Sequence, residues 1–512
     1  MADYPRKGRA VFVKRRMTKR LLLVVLLSIF LFAGILVGNC ARFQSKQLSI
    51  TAITKIPLDS SAVLERLREA VRIPTVSKAL SRIDQHSDFH QFAEYLRGCY
   101  PELFASPFVV RTGNEFGDAL NPSLLFEWPG SDGALEPILL MSHLDVVPAG
   151  DLSEWAYPPF DGHLDESFVW GRGTLDCKHG VMAILEGVER LRVEGFQPKR
   201  TILIALGHDE ELGGIEGNRQ IAEWMRSRRI RLHAIFDEGG CIFMEFPGLD
   251  QPAALIGIAE KGQLQVELQV QVESTSIGHA SMPPDASAIS LLAAAIDQLQ
   301  SNPFPARIDG GLHTTLAYIG PEMSSLATRV AMANLWLSQP FVQKVLGAKP
   351  SGNALLRTTI APTMISGGIA ENVLPQTASA TLNIRLLPGD TIEHALGYLR
   401  QTIDDQRVTV RFSDRSREAS PVSPVDTEPF LKLHRTIREV FPDVVVAPFV
   451  LVGGTDTVHY TDLCENIYRF IPTRLSERDT QRFHGTDERI AIENYLDIVR
   501  YYHRLITSFT GS

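Results

Sequence analysis

The chain has 512 residues, 44% hydrophobic and 21% charged, a length that predicts more than one core and a composition that gives no sign of disorder or of a repeat array. Formal net charge is −8, yet residues 1–20 hold eight Lys/Arg against Asp3 alone, which leaves about −15 on the rest. So acidic a body excludes nucleic acid as the expected partner.

Leu21 to Gly38 is an apolar run broken only by Ser28, long enough to cross most of a bilayer core. It predicts a transmembrane anchor at residues 21–39, with a cleaved signal peptide as the competing reading. The basic residues 1–20 then stay cytoplasmic and everything beyond a linker at 40–56 lies on the other side: periplasmic, lumenal or extracellular. Amphipathic spacing predicts helices at Ser60–Val71 and Asp88–Leu96. Apolar runs at Pro137–Met141, Thr201–Leu206 and Leu232–Phe236 predict buried strands, and Phe168–Trp170 a brief one before a helix at Val181–Leu191. Strands alternating with helices imply an α/β fold, a mixed, largely parallel sheet covered by helices.

The pattern then changes. Gln263 to Val272 alternates strictly, as a half-solvated antiparallel strand does, and Asp285–Leu299 reads as a helix. Further strands at Ala380–Leu386 and Val408–Phe412 flank a helix at Thr391–Ile403. Residues 260–417 are therefore expected to form an inserted α+β lid and dimerisation domain, and residues 57–259 with 418–512 the main domain, which ends in a helix at Ile492–Ile506. The five cysteines are scattered with no CxxC pair, against a disulfide scaffold or a thiolate zinc site.

Three predicted strands deliver metal-competent side chains at their C-terminal ends: His143 with Asp145, Glu210 with Glu211, and Asp237 with Glu238. Ligand sites of open α/β sheets lie at that edge. Asp176, in a Gly-rich turn, and His484, before the last helix, can join them. His143, Asp176, Glu211, Asp237 and His484 would give two Zn2+ ions three protein ligands apiece if Asp176 bridges, the open arrangement of catalytic zinc. Glu210, beside a ligand, could move the proton of the attacking water. Co2+ or Mn2+ could substitute, since selectivity follows geometry and availability. His163, His179, His208, His233 and His459 read as structural. No HExxH or GxSxG occurs, and Asp176 replaces the third glycine a dinucleotide loop would need.

In order, MSHLDVVPAG, WGRGTLDCKHG, GHDEELGG, FDEGG, GHASMPP, GGTDTVHY and FHGTDERI resemble the motifs of the zinc aminoacylase and carboxypeptidase family. Within it they are most similar to the branch of yeast vacuolar carboxypeptidase S and the mammalian N-fatty-acyl-amino-acid synthase/hydrolase. The resemblance implies a zinc-exopeptidase fold, with His143 and Asp237 on one zinc, Glu211 and His484 on the other, Asp176 shared, Asp145 supporting His143 and Glu210 as general base. It also implies that His279 stabilises the oxyanion, that Arg385 clamps the substrate carboxylate, with Asn372 as a further polar contact, and that the chain pairs as a homodimer through the lid. Many relatives carry Asp or Met where Cys177 stands, often across a cis peptide.

The expected activity is hydrolysis, as a carboxypeptidase or amidohydrolase, of a peptide or N-acyl-amino-acid amide bond next to a free carboxylate. The long segment Asn302–Asn353 and the anchor motivate a variant of it, hydrolysis or condensation of N-fatty-acyl amino acids. An inactive binding module on the same fold is the contrasting expectation. It would be marked by lost ligands, and all five candidates and Glu210 are present.

Overall fold

A computed structural model of the chain describes residues 6–77, 87–116, 118, 120–272 and 280–511. Its main sheet has ten strands. At the centre β2 (Ile138–His143) lies between β3 (Ile202–Gly207) and β4 (Ala234–Asp237), parallel to both. An antiparallel strand, β1 (Leu124–Trp128), flanks β3. The fold class expected from the sequence is the one found.

Burial on both faces explains why these strands read as unbroken apolar runs. Side chains alternate across a strand, so Ile138, Leu140, Ile202 and Ile204 enter one core while Leu139, Met141, Leu203 and Ala205 enter another on the opposite face. The first core is roofed by the helices Ser60–Arg72, Lys178–Val193 and Ile492–Thr510, the second by Asn218–Ser227.

The strand β5 (Ala253–Glu260) is buried at every residue, and two residues on the chain enters a different sheet. There β6 (Gly262–Gln271), β7 (Thr359–Gly367), β8 (Thr377–Leu386) and β9 (Val408–Phe412) form an antiparallel four-stranded sheet in the order β7-β8-β6-β9. Leu264, Val266, Leu268 and Val270 meet the helices Ala288–Ser301 and Ile392–Ile403 in a core of their own. After the insert, β10 (Val445–Leu451) returns to pair with β5, and β11 (Ile467–Arg469) slots between β4 and β5.

The first helix runs from Arg6 to Arg42, and its stretch Leu21–Arg42 is long and apolar enough to cross a membrane, about 33 Å at 1.5 Å per residue. All five cysteines are free thiols.

Candidate metal centre

The ends of β2, β3 and β4 converge with two loops on one edge of the main sheet. His143 closes β2, Glu210 and Glu211 form the turn after β3, and Asp237 closes β4 with Glu238 behind it. Gly213 and Gly214 both adopt left-handed backbone, which turns the chain away directly behind Glu211. Asp176 sits just before the helix Lys178–Val193, whose N-terminal dipole favours a carboxylate there. The peptide joining Asp176 to Cys177 is cis.

Asp176 presents one oxygen to each of two imidazoles: Oδ1 lies 3.0 Å from His143 Nε2 and Oδ2 lies 3.0 Å from His484 Nε2. A second carboxylate completes each half, Glu238 Oε1 at 3.3 Å from His143 Nε2 and Glu211 Oε2 at 3.2 Å from His484 Nε2. Donors on a tetrahedral zinc, with bonds of about 2.0 Å, stand about 3.3 Å apart. Two groups of donor atoms, His143–Asp176–Cys177–Glu238 and Asp176–Glu211–His484, share Asp176 and have a spacing compatible with a pair of such ions, and a third joins His143, Glu210 and Glu211.

Of the expected ligands, Asp237 is in none of these groups, whereas Glu238 is in one. Successive side chains of an extended segment point to opposite sides. Asp237 is accordingly turned toward Thr455, Glu260 and Arg469. Replacing Glu238 by Ala should cost the centre one metal under conditions where the unaltered chain holds both. Asp237→Ala should keep both, with affinity reduced by at most about 100-fold, the range for groups that only support a ligand. Metal analysis of the two variants after dialysis reads the difference, and the opposite pattern would restore Asp237 as the ligand.

Electrostatics favour a cation here. Burial, with Glu238, Asp456 and Glu211 close by, pushes the Glu210 carboxyl well above its usual range against the pull of His143. Burial likewise raises Glu238 to about 7 and Asp237 to about 6. Hydrogen bonds to Asp176 and Glu211 hold His484 up at about 10. Glu211 Oε1 is buried with no hydrogen-bond partner among the described residues. So many crowded acids, two of them (Glu211 and Asp237) with an unsatisfied oxygen, suit divalent cations better than protons.

The supporting contacts are specific. His143 Nδ1 lies 2.9 Å from the Asp145 carbonyl oxygen and 3.2 Å from its carboxylate, so a proton on Nδ1 leaves the Nε2 lone pair for a metal. Asp145 also accepts the backbone N–H groups of Glu210 and Glu211, both at 3.1 Å, which ties the β2 end to the β3 turn.

Glu488 has a comparable part that no feature of the sequence signalled. Its Oε1 accepts the N–H groups of Gly173, Leu175 and Asp176, and its Oε2 pairs with Arg172 at 2.6 Å. Arg172 in turn donates to the Gly485 carbonyl at 2.8 Å. The loops bearing Asp176 and His484 are thereby locked together. His484 itself holds left-handed backbone, with φ 56°, a conformation that costs a non-glycine residue energy and must be held by its surroundings.

Arg385 and Asn372 belong to none of the donor groups. Arg385 is on β8, half-buried, with no carboxylate partner among the described residues. Burial and nearby Arg417 lower its pKa, while burial and Arg385 bring Lys261 down to about 7. Asn372 is exposed in a turn, where its carbonyl accepts the N–H of Ala280 at 3.1 Å. His279 lies outside the described residues. Of the other histidines, His179 bonds Thr473, His208 bonds Ser123, His459 meets the Gly213 carbonyl, His233 meets Glu428, and His163 stacks on Tyr157.

Residues 139–508 match peptidase family M20/M25/M40. The chain is 41% identical over 482 residues to the probable carboxypeptidase S-like 2 of Dictyostelium discoideum, covering 92% of this chain and 91% of that protein. It is 37% identical to the N-fatty-acyl-amino acid synthase/hydrolase PM20D1.1 of Danio rerio, over 94% of each. Among solved structures, the M20 family metallo-carboxypeptidase Sso-CP2 from Sulfolobus solfataricus superposes with a TM-score of 0.61 at 17% identity, covering 87% of this chain and 99% of that one.

Proposed function

This chain belongs to the M20/M25/M40 peptidase family and is a hydrolase of the carboxypeptidase and N-acyl-amino-acid amidohydrolase type, and on that footing we propose how its residues divide the work. Two zinc ions would be held by His143, Asp176 and Glu238 on one side and by Asp176, Glu211 and His484 on the other. The observation that carries this is the pair of equal 3.0 Å approaches of the Asp176 oxygens to the two imidazoles. When bound, such ions lower the pKa of a water to about 7 and polarise the scissile carbonyl.

Glu210 takes the proton of the attacking water and passes it to the nitrogen of the leaving amine. Asp145 fixes the tautomer of His143. His279 faces the developing oxyanion, a role resting on its place in GHASMPP.

Arg385 receives the carboxylate next to the scissile bond, through the two parallel hydrogen bonds that a guanidinium offers. Charge-assisted bonds contribute about 1.5–3 kcal/mol, so Arg385→Met should lower kcat/KM by about 10- to 150-fold for an N-acyl amino acid. The same substitution should leave the rate on the corresponding carboxamide unchanged. Equal losses on acid and amide would remove the clamp from this account.

A fatty-acyl amino acid is the second substrate reading, favoured by likeness to the N-fatty-acyl-amino acid synthase/hydrolase and by the apolar helices of the insert. Rates on dipeptides against N-oleoyl amino acids separate the two. The N-terminal helix stays in place as an anchor, with the catalytic residues on the non-cytoplasmic side. Strand β7 has a free edge that exposes Met364 and Ile365, and a second copy of the chain pairs there.

A further inference from the structure

The helices Leu326–Ala333 and Leu335–Gly347 of the insert are unusual for a surface bathed in water. Leu337, Phe341 and Val345 recur every four residues on one face and are 48%, 65% and 55% exposed, and Trp336 beside them and Leu326 are each 63% exposed. Neither helix has an acidic residue, and their only charges are the cations Arg329 and Lys344. So large an apolar face marks a contact surface rather than ordinary scatter.

Its position identifies the contact. Trp336 packs edge-to-face on Phe32 of the N-terminal helix, with ring centroids 6.2 Å apart. Buried Asn334 donates to the Leu36 carbonyl at 3.2 Å and accepts from Asn39 at 2.8 Å, and Phe43 lies against Gly320 so closely that a Cβ would meet its ring. The helix pair is thus fastened along the last turns of the apolar stretch Leu21–Arg42. Phe32 precedes Arg42 by ten residues, about 15 Å along a helix. If Arg42 marks the membrane surface, Trp336 stands at the depth of the hydrocarbon, where water does not reach.

We infer that the helices Leu326–Ala333 and Leu335–Gly347 are embedded in the leaflet that the N-terminal helix leaves, so that the insert is seated in the lipid bilayer as well as tethered to it. With 8 and 13 residues they are too short to cross, and they lie in one leaflet. Arg329 and Lys344 reach their charges toward the headgroups along apolar stems. The inference rests on the anchoring reading above. A substrate with a fatty acyl chain would then be met in the phase into which it partitions.

The test uses the full chain in phosphatidylcholine vesicles whose lipids are brominated along the acyl chains, with tryptophan fluorescence as the readout. The other tryptophans, Trp128, Trp155, Trp170 and Trp224, belong to the main domain. The bromolipids should quench part of the emission of the unaltered chain, and that quenchable component should be lost in Trp336→Phe. Equal quenching in both chains, or protection of Trp336 that appears only as the protein concentration is raised, would overturn the inference, the latter in favour of a second copy. An alkaline carbonate wash separates the two readings. A chain that stays with the vesicles but shows no quenching at Trp336 refutes only the seating, whereas a chain that washes off refutes anchor and seating together.

Discussion

Glu210→Gln should hydrolyse an N-acyl amino acid about 100- to 10,000-fold more slowly than the unaltered chain, the usual contribution of a positioned acid–base group, with its metal content unchanged. Both halves of that result follow from the geometry. Glu210 shares its turn with the proposed ligand Glu211, and its own backbone N–H is held by Asp145 at 3.1 Å, a contact the amide side chain leaves intact. Its carboxyl is buried among acids, near His143 and Glu211 but in neither donor group that contains Asp176. Gln fills the same volume but cannot take up a proton. A variant with full activity would transfer the proton-carrying role elsewhere, and one with normal proton transfer but no metal would make Glu210 a ligand. Atomic absorption and single-turnover rates on the same preparation distinguish these outcomes.

Asp176→Ala should have the larger effect, because both halves of the centre lose a donor at once. Asp176 presents one oxygen to each of the imidazoles of His143 and His484. Without them each remaining pair, His143 with Glu238 and His484 with Glu211, offers two donors where catalytic zinc takes three from the protein. Metal content should fall toward none after dialysis. The attacking water then lacks the cations that would lower its pKa, and turnover should be undetectable. The fold should persist, since the loop is held by Glu488 through the backbone of Gly173, Leu175 and Asp176 rather than by the Asp176 side chain. Circular dichroism alongside the metal assay checks that.

The catalytic edge was readable because its physics is local. An apolar run buried on both faces, as in Ile138–His143 or Ile202–Gly207, must end where polar residues begin, and those residues are the functional ones. The choice between Asp237 and Glu238 was not readable in the same way. Asp237 ends β4 and Glu238 follows it, and which of them faces His143 depends on the phase of the strand, set in part by pairing with β11 from more than 200 residues away. The same distance hid β11 itself, three residues long, and β10, interrupted by Pro448. Strand β5, buried at every position, lacks the alternation that announced β6. Glu488 stood inside a quoted motif, but its role depends on three backbone N–H groups donated by a loop that is remote in sequence.

The whole account turns on Asp176 serving two metals at once. Crystals of the zinc-loaded chain, measured on either side of the zinc absorption edge, test that directly. The account predicts two anomalous peaks flanking the Asp176 carboxylate, one beside His143 and Glu238 and the other beside His484 and Glu211. A single peak, or two peaks that leave Asp176 without a metal, would contradict it.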